Sequence, residues 1–378
     1  MTKIHELAEL GQSIWLDYIR RSFISDGKLQ SLIDMGLRGM TSNPSIFEKA
    51  IAHSDDYDDD LERMSRQGKS IEEIYTSLVV EDIRKATDLL RPVYDQTEGS
   101  DGYVSLEVNP TLAHKTQETI SEAKRLWALV DRPNLMIKIP ATRQGLEAIT
   151  QSIASGLNIN VTLIFSLERY AEVMAAYIAG LEVRLDEGQP VDHIASVASF
   201  FVSRLDTKVD KRLEKIIHEG GQHAKVAHSL RGQAAVANAK VAYSQFKEVF
   251  ERDPYSRGGK FKSLEAQGAR LQRPLWASTS TKNPAYSDIK YVQELIGKHT
   301  VNTLPQVTLE NFLDHGSVHL TLEEDMNQAH FVLESLEDIG ISMQQVTKEL
   351  EDEGVAAFSD SFNSLMQSIQ EKSNKIKI

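Results

Sequence analysis

The 378-residue sequence predicts an α/β fold in which eight parallel strands close into a (β/α)8 barrel. Three observations carry that reading. Short apolar or β-branched runs recur along the chain, each is followed by a longer stretch whose apolar residues return every three or four positions, and there are about eight of them. Alternation of this kind is what a parallel sheet with crossover helices requires, and eight is the number that closes a TIM barrel.

In chain order the candidate strands are SIWLD (13–17), LRGMTS (37–42), YVSLEV (103–108), LMIKIP (135–140), INVTLIF (159–165), ASVASFFV (195–202), PLWAST (274–279) and VNTLP (301–305). Between them lie amphipathic stretches such as TLAHKTQETISEAKRLWALV and SLERYAEVMAAYIAGLEVRL. Residues 206–265 break the rhythm. They hold more sequence than one crossover needs and read as two helices plus a Gly-rich connection, a helical insertion between strands 6 and 7. Residues 308–371 read as C-terminal helices, and the final EKSNKIKI is expected to fray. Residues 1–378 are thus read as a single barrel domain containing its insertion.

Composition narrows the function classes. Lys and Arg total 42 against 55 Asp and Glu, so a net charge of -13 disfavours nucleic acid and anionic membranes as general partners. Any anion must therefore meet a local cluster of cations. The absence of cysteine excludes thiolate nucleophiles, disulfides and Cys-ligated metals. No signal or transit peptide is recognisable in MTKIHELAELGQSIWLDYIRR, and no uninterrupted apolar run reaches the roughly 18 residues of a membrane helix. A soluble, cytoplasmic protein is expected. The run HSDDYDDD (53–60) lacks the glycine and terminal glutamate of an EF-hand loop and reads as an acidic helix start.

Catalytic groups of a barrel sit at the C-terminal ends of its strands. At those ends the sequence offers Asp17, Asn43 before Pro44, Glu107, Lys138, Asn160 with Thr162, Ser199 leading to Arg204, and Lys282 in ASTSTKN. Singly, most have ordinary readings: Asp17 as a helix cap, Asn43 as a turn, Thr162 as a β-former, Arg204 and Lys282 as surface charges. Their joint occurrence on strands that should be apolar is the signal. Lys138 stands out, because its own strand holds no carboxylate. Either its ammonium escapes to water, or burial lowers its basicity and makes it a nucleophile able to form a Schiff base.

The stretches GMTSNPSIFEKAI (39–51), LMIKIPATRQGLEAI (135–149) and LNINVTLIFS (157–166) resemble the signature segments of the transaldolase family, in its longer bacterial type. The resemblance implies an aldolase class I barrel with neither cofactor nor metal. Its expected reaction, in the pentose phosphate pathway, moves a dihydroxyacetone unit from sedoheptulose 7-phosphate to glyceraldehyde 3-phosphate, giving erythrose 4-phosphate and fructose 6-phosphate. By the same resemblance Lys138 is the Schiff-base lysine and Asp17 the acid/base group. Glu107 and Thr162 would hold a catalytic water, Asn43 and Asn160 the dihydroxyacetone hydroxyls, and Ser199 would be a further substrate contact. Arg204 would bind phosphate, with Lys282 where shorter members have a second arginine. The partners implied are sugar phosphates and a second copy in a homodimer.

Three rival readings stand beside this one. A fructose 6-phosphate aldolase would release free dihydroxyacetone; this chain is far longer, and Phe201 fits the transferase pattern in place of a tyrosine. A metal-dependent barrel hydrolase needs clustered ligands, whereas the 11 histidines are scattered and only His315 and His319 could share a helical face. A non-catalytic scaffold would have lost some of the polar groups that here stand together.

Overall fold

The computed structural model describes residues 2–251 and 259–376. All eight candidate strands form: β1 (Gln12–Asp17), β2 (Gly39–Thr41), β3 (Tyr103–Glu107), β4 (Leu135–Pro140), β5 (Ile159–Ile164), β6 (Ser196–Phe201), β7 (Arg273–Ala277) and β8 (Thr300–Leu304). Each pairs in parallel with its neighbours in sequence, and β8 closes on β1. Both faces of the strands are buried, one by the barrel interior and the other by helices, which is why they read as apolar runs rather than as alternation.

Helix α1 (Lys3–Glu9) precedes the barrel; α2 (Arg21–Ser25) and α3 (Lys28–Asp34) join β1 to β2. The β2–β3 connection holds α4 (Pro44–Ala52), α5 (Asp58–Arg66) and the 26-residue α6 (Ile71–Gln96). A 3-10 turn and α7 (Thr116–Val130) follow β3, with α8 (Arg143–Ala154) and α9 (Leu167–Asp186) after β4 and β5. Helix starts are set by side chains that accept orphan amides: Thr142 takes Gly145 N–H at 3.0 Å, and Ser166 takes Arg169 N–H at 3.0 Å. Gly145 is required by packing, since a Cβ there would lie 2.1 Å from the Pro140 carbonyl oxygen. The acidic run is an acidic helix start, with Asp58, Asp59 and Asp60 in the first turn of α5.

Between β6 and β7 the described residues form four helices where the sequence suggests two: α10 (Ser203–Glu219), α11 (Ala224–Leu230), α12 (Ala234–Phe250) and α13 (Gly259–Glu265). The first begins ahead of residue 206, directly at the strand end. The Gly-rich connection lies partly outside the described residues. Two buried aspartates on α10 tie this region to the barrel. Asp206 accepts from Tyr291 Oη at 2.7 Å and from Ala235 N–H at 2.7 Å; Asp210 accepts from Tyr286 Oη at 2.7 Å and Gly232 N–H at 2.9 Å. After α14 (Lys290–Gln293) and β8 come α15 (Gln306–His315), α16 (Met326–Asp338) and the 34-residue α17 (Met343–Ile376). Helix α15 ends at His315 and Gly316 is extended, so His315 and His319 do not share a helical face. The C-terminal segment expected to fray is helical to Ile376, tied by Lys372 Nζ to Asp58 at 2.7 Å; the last two residues lie outside the described ones. Among the described residues no helix is long and apolar enough to cross a membrane.

At the N-terminal end of the barrel a buried carboxylate closes the bottom. Asp101 accepts from Ser13 Oγ at 2.7 Å, Trp15 Nε1 at 3.2 Å and Arg273 Nη2 at 2.9 Å. Strands β1 and β7 are thereby joined to the segment leading into β3.

Candidate active site

At the opposite end, strand register builds the site. Glu107 is opposite Lys138, and Lys138 is opposite Asn160, so three polar side chains stand in one row across β3, β4 and β5. Lys138 is 4% exposed, and its partner comes from the neighbouring strand: Nζ lies 3.2 Å from Glu107 Oε2 and 3.4 Å from the Ser42 carbonyl oxygen. The ammonium therefore does not escape to water. A search within its own strand could not find that carboxylate, which lies 31 positions earlier in the chain.

Burial pushes the Glu107 carboxyl above its ordinary value; the Lys138 ammonium opposes the shift and Asp17 adds to it. Apart from the Lys138 ammonium beside Oε2, neither carboxyl oxygen has a hydrogen-bond partner among the described residues, nor does the buried Thr162 hydroxyl. Thr162 is two positions beyond Asn160, where β5 slips its register against β6 and Leu163 takes a left-handed φ of 61°. That conformation is uncommon for leucine and concentrates at functional positions. Unsatisfied acceptors and a hydroxyl of this kind are suited to gripping a water or a substrate hydroxyl.

Asp17 ends β1, opposite Thr41, whose hydroxyl donates to Asp17 Oδ1 at 2.7 Å and contacts Thr303 Oγ1 at 2.7 Å. Burial raises the Asp17 carboxyl, while Lys138, the Thr41 hydrogen bond and Arg204 oppose the rise. Asn160 is fully buried and fixed from both sides: its Oδ1 accepts from Ser199 Oγ at 2.7 Å, and its Nδ2 donates to Ser105 Oγ at 2.9 Å. Asn43 serves as the N-cap of α4, accepting Ile46 N–H at 3.0 Å; the turn reading of this residue is realised, and its carbonyl is engaged.

Arg204 lies in the first turn of α10, its guanidinium 5.4 Å from the Phe201 ring and 6.0 Å from Phe358. Burial lowers its affinity for protons, with Asp17 and Glu353 opposing. Lys282, exposed on the loop after β7, donates to Ser280 Oγ at 2.7 Å. Its ammonium is shifted down by partial desolvation and then by the nearby charges of Arg204 and Lys49. The charges of Arg204 and Lys49 thus act on Lys282, which gives this side of the site the positive field an anion needs in an acidic protein.

The structure adds residues that sequence reasoning missed. Thr41 and Ser42 orient Asp17 and Lys138 through a hydroxyl and a carbonyl, Ser105 holds Asn160, and Thr303 supports Thr41. Phe358, 4% exposed on α17, holds its ring 5.5 Å from Lys138 Nζ. Helix α17 crosses the strand ends and approaches β5 closely, where a Cβ at Gly354 would come within 2.9 Å of Leu163 Cδ2. Among the described residues no group of three or more His, Asp and Glu could hold a metal ion, which leaves the hydrolase reading without a ligand set there.

A closed parallel barrel with its polar side chains gathered at the C-terminal strand ends is the architecture of a (β/α)8-barrel enzyme. The chain belongs to the transaldolase/fructose-6-phosphate aldolase family, whose model, Transaldolase/Fructose-6-phosphate aldolase, matches residues 14–369. It is 48% identical over 378 residues to a transaldolase of Trichodesmium erythraeum, covering 98% of this chain and 97% of that one. A transaldolase of Saccharopolyspora erythraea is 47% identical over 378 residues (100% and 99% covered), and one of Thermobifida fusca 48% over 371 (98% and 98%).

Proposed function

We propose that this chain is a transaldolase that works through an imine on Lys138, and the observation carrying the proposal is the buried Lys138–Glu107 pair at 3.2 Å. A proton passed from the ammonium to the carboxylate gives a neutral amine beside a carboxylic acid. The amine attacks the ketone of the donor sugar. Glu107 then returns the proton to the carbinolamine hydroxyl, which leaves as water, and the resulting iminium is the electron sink for carbon–carbon cleavage.

Asp17 as carboxylate removes the proton from the hydroxyl next to the bond that breaks. The bonding electrons move to nitrogen, an aldehyde departs, and an enamine stays on the enzyme. When the acceptor aldehyde is attacked, Asp17 gives the proton back to its oxygen. Two carboxyl groups with different surroundings thereby serve different steps. Glu107 and Thr162 hold the water of imine formation and hydrolysis. Asn160, fixed by Ser199 and Ser105, and the amide nitrogen of Asn43 hold the hydroxyls of the dihydroxyacetone unit. Arg204 supplies the planar fork for the phosphate, with Lys282 a point charge beside it.

Support for treating residues 1–378 as one domain, with 206–265 an insertion, is a single buried core running from Ile4 to Ile369 that includes Tyr243 and Phe246. A cytoplasmic location and a homodimer belong to the same proposal. Borohydride reduction with fructose 6-phosphate, followed by peptide mass spectrometry, tests the chemistry. A covalent adduct on Lys138 is expected, absent from Lys138→Met; an unmodified wild-type Lys138 refutes it. Free dihydroxyacetone released from fructose 6-phosphate without an acceptor, as fast as transfer, would instead favour the aldolase.

A further inference from the structure

Behind Glu107, on the side away from the barrel axis, lies a separate small cavity of about 20 Å³ between β3, α6, α7 and α17. A single water needs roughly 10–15 Å³ of such space. Its walls include Glu107, Tyr75, Thr76, Val79, Glu122 and Arg125. Glu107 is 5% exposed, whereas the Arg125 side chain is 46% exposed, so the cavity spans from the buried carboxyl to the surface. At the surface end Arg125 and Glu122 are joined by two hydrogen bonds of 2.7 and 2.8 Å. Tyr75 stands edge-on to Phe362 of α17, ring centroids 5.3 Å apart.

We infer that this cavity is the port by which water reaches and leaves Glu107 while the barrel mouth is occupied. Imine formation expels one water, and imine hydrolysis takes one up. At both moments the sugar phosphate fills the mouth beneath α17, where Phe358 lies over Lys138. Water expelled toward the mouth would stay beside the enamine, whose protonation aborts transfer. Among the described residues Glu107 Oε1 has no hydrogen-bond partner and Oε2 meets only the Lys138 ammonium at 3.2 Å, so the carboxyl can face a water on its cavity side. Tyr75 keeps its hydroxyl protonated, through burial first and then the charges of Glu107 and Glu122, and so serves as a donor along the route.

The inference rests on the imine at Lys138, and its test reads the origin of an oxygen atom rather than a rate. Fructose 6-phosphate is incubated with 13C-labelled glyceraldehyde 3-phosphate in 18O water for times short against uncatalysed exchange. Every fructose 6-phosphate that acquires the 13C label has passed through enamine and imine hydrolysis. Its C2 oxygen comes from bulk if the expelled water has escaped, or is the original oxygen if that water was kept.

Wild type is expected to give mostly doubly labelled product. Thr76→Leu, which narrows the cavity from its helical wall, should lower the doubly labelled fraction severalfold, while Val79→Ala, which widens it, should not. An unchanged fraction in Thr76→Leu, an equal fall in both variants, or retention of the original oxygen by wild type would each overturn the port. Borohydride trapping of all three proteins separates the two readings. Adduct on Lys138 with an unmoved oxygen ratio removes only the port; no adduct removes the imine as well.

Discussion

Asp17 holds its proton under opposing pulls: burial favours the neutral acid, and Lys138, Thr41 and Arg204 favour the carboxylate. Because burial wins, the folded-state value is raised. Below the ordinary carboxyl value of about 4, folded and unfolded chains are both protonated and burial costs nothing. As pH rises through the raised folded value, the folded state alone bears a poorly solvated charge and stability falls. Asp17→Asn keeps the acceptor for Thr41 but cannot ionise. Its Tm advantage over wild type should therefore grow from pH 4 to pH 8, while turnover drops by roughly 100-fold or more through loss of the acid/base group. Melting curves across that range check the sign; an advantage that shrinks with pH contradicts it. The same physics decided what the sequence could disclose. Lys138 and Glu107 were legible because charges inside apolar strands are costly and rare. Thr41 and Ser105, which aim Asp17 and Asn160, were not, since small hydroxyls in strands are commonplace.

Helix α17 is the element whose contribution exceeds what its sequence conveys. Its period announces a helix, but periodicity gives no direction, and only the folded chain brings residue 358 over residue 138. The helix is fixed along its length, by Ser361 Oγ to Ser45 Oγ at 2.7 Å and Arg212 to Glu349 at 2.8 Å among other contacts. Its Phe358 ring stands 5.5 Å from Lys138 Nζ, where on the proposed mechanism it would shield the reacting nitrogen from water. Phe358→Ala should leave adduct formation on Lys138 intact but raise release of free dihydroxyacetone relative to transfer, as water gains access to the enamine. Product analysis with and without acceptor measures the partition, and an unchanged ratio would show that the ring only packs. The four helices between β6 and β7 were undercounted for a related reason. Seven-residue helices such as α11 and α13 are too short to display a period.

Across the whole molecule the two ends of the barrel divide their labour. At the C-terminal end stand Lys138, Glu107, Asp17 and the unpartnered Thr162 hydroxyl, whereas at the other end Asp101 is surrounded by donors from Ser13, Trp15 and Arg273. Asp101→Ala leaves Arg273 and the indole N–H partly unpaired and should cost about 3 kcal/mol or more of unfolding free energy. Catalysis per folded molecule should persist. Urea titration alongside active-site trapping checks both halves. Barrel closure itself was legible, because eight runs at crossover spacing have few other ways to bury both faces. The roof over Lys138 also has a place in time. All eight strands leave the ribosome before the first residue of α17, so a growing chain acquires its lysine, its carboxylates and its barrel while the reacting nitrogen is still uncovered. On the proposed mechanism, emergence of α17 is then the moment at which a carbonyl-reactive amine becomes sheltered, and a chain stalled short of that point would display it to every aldehyde in its surroundings.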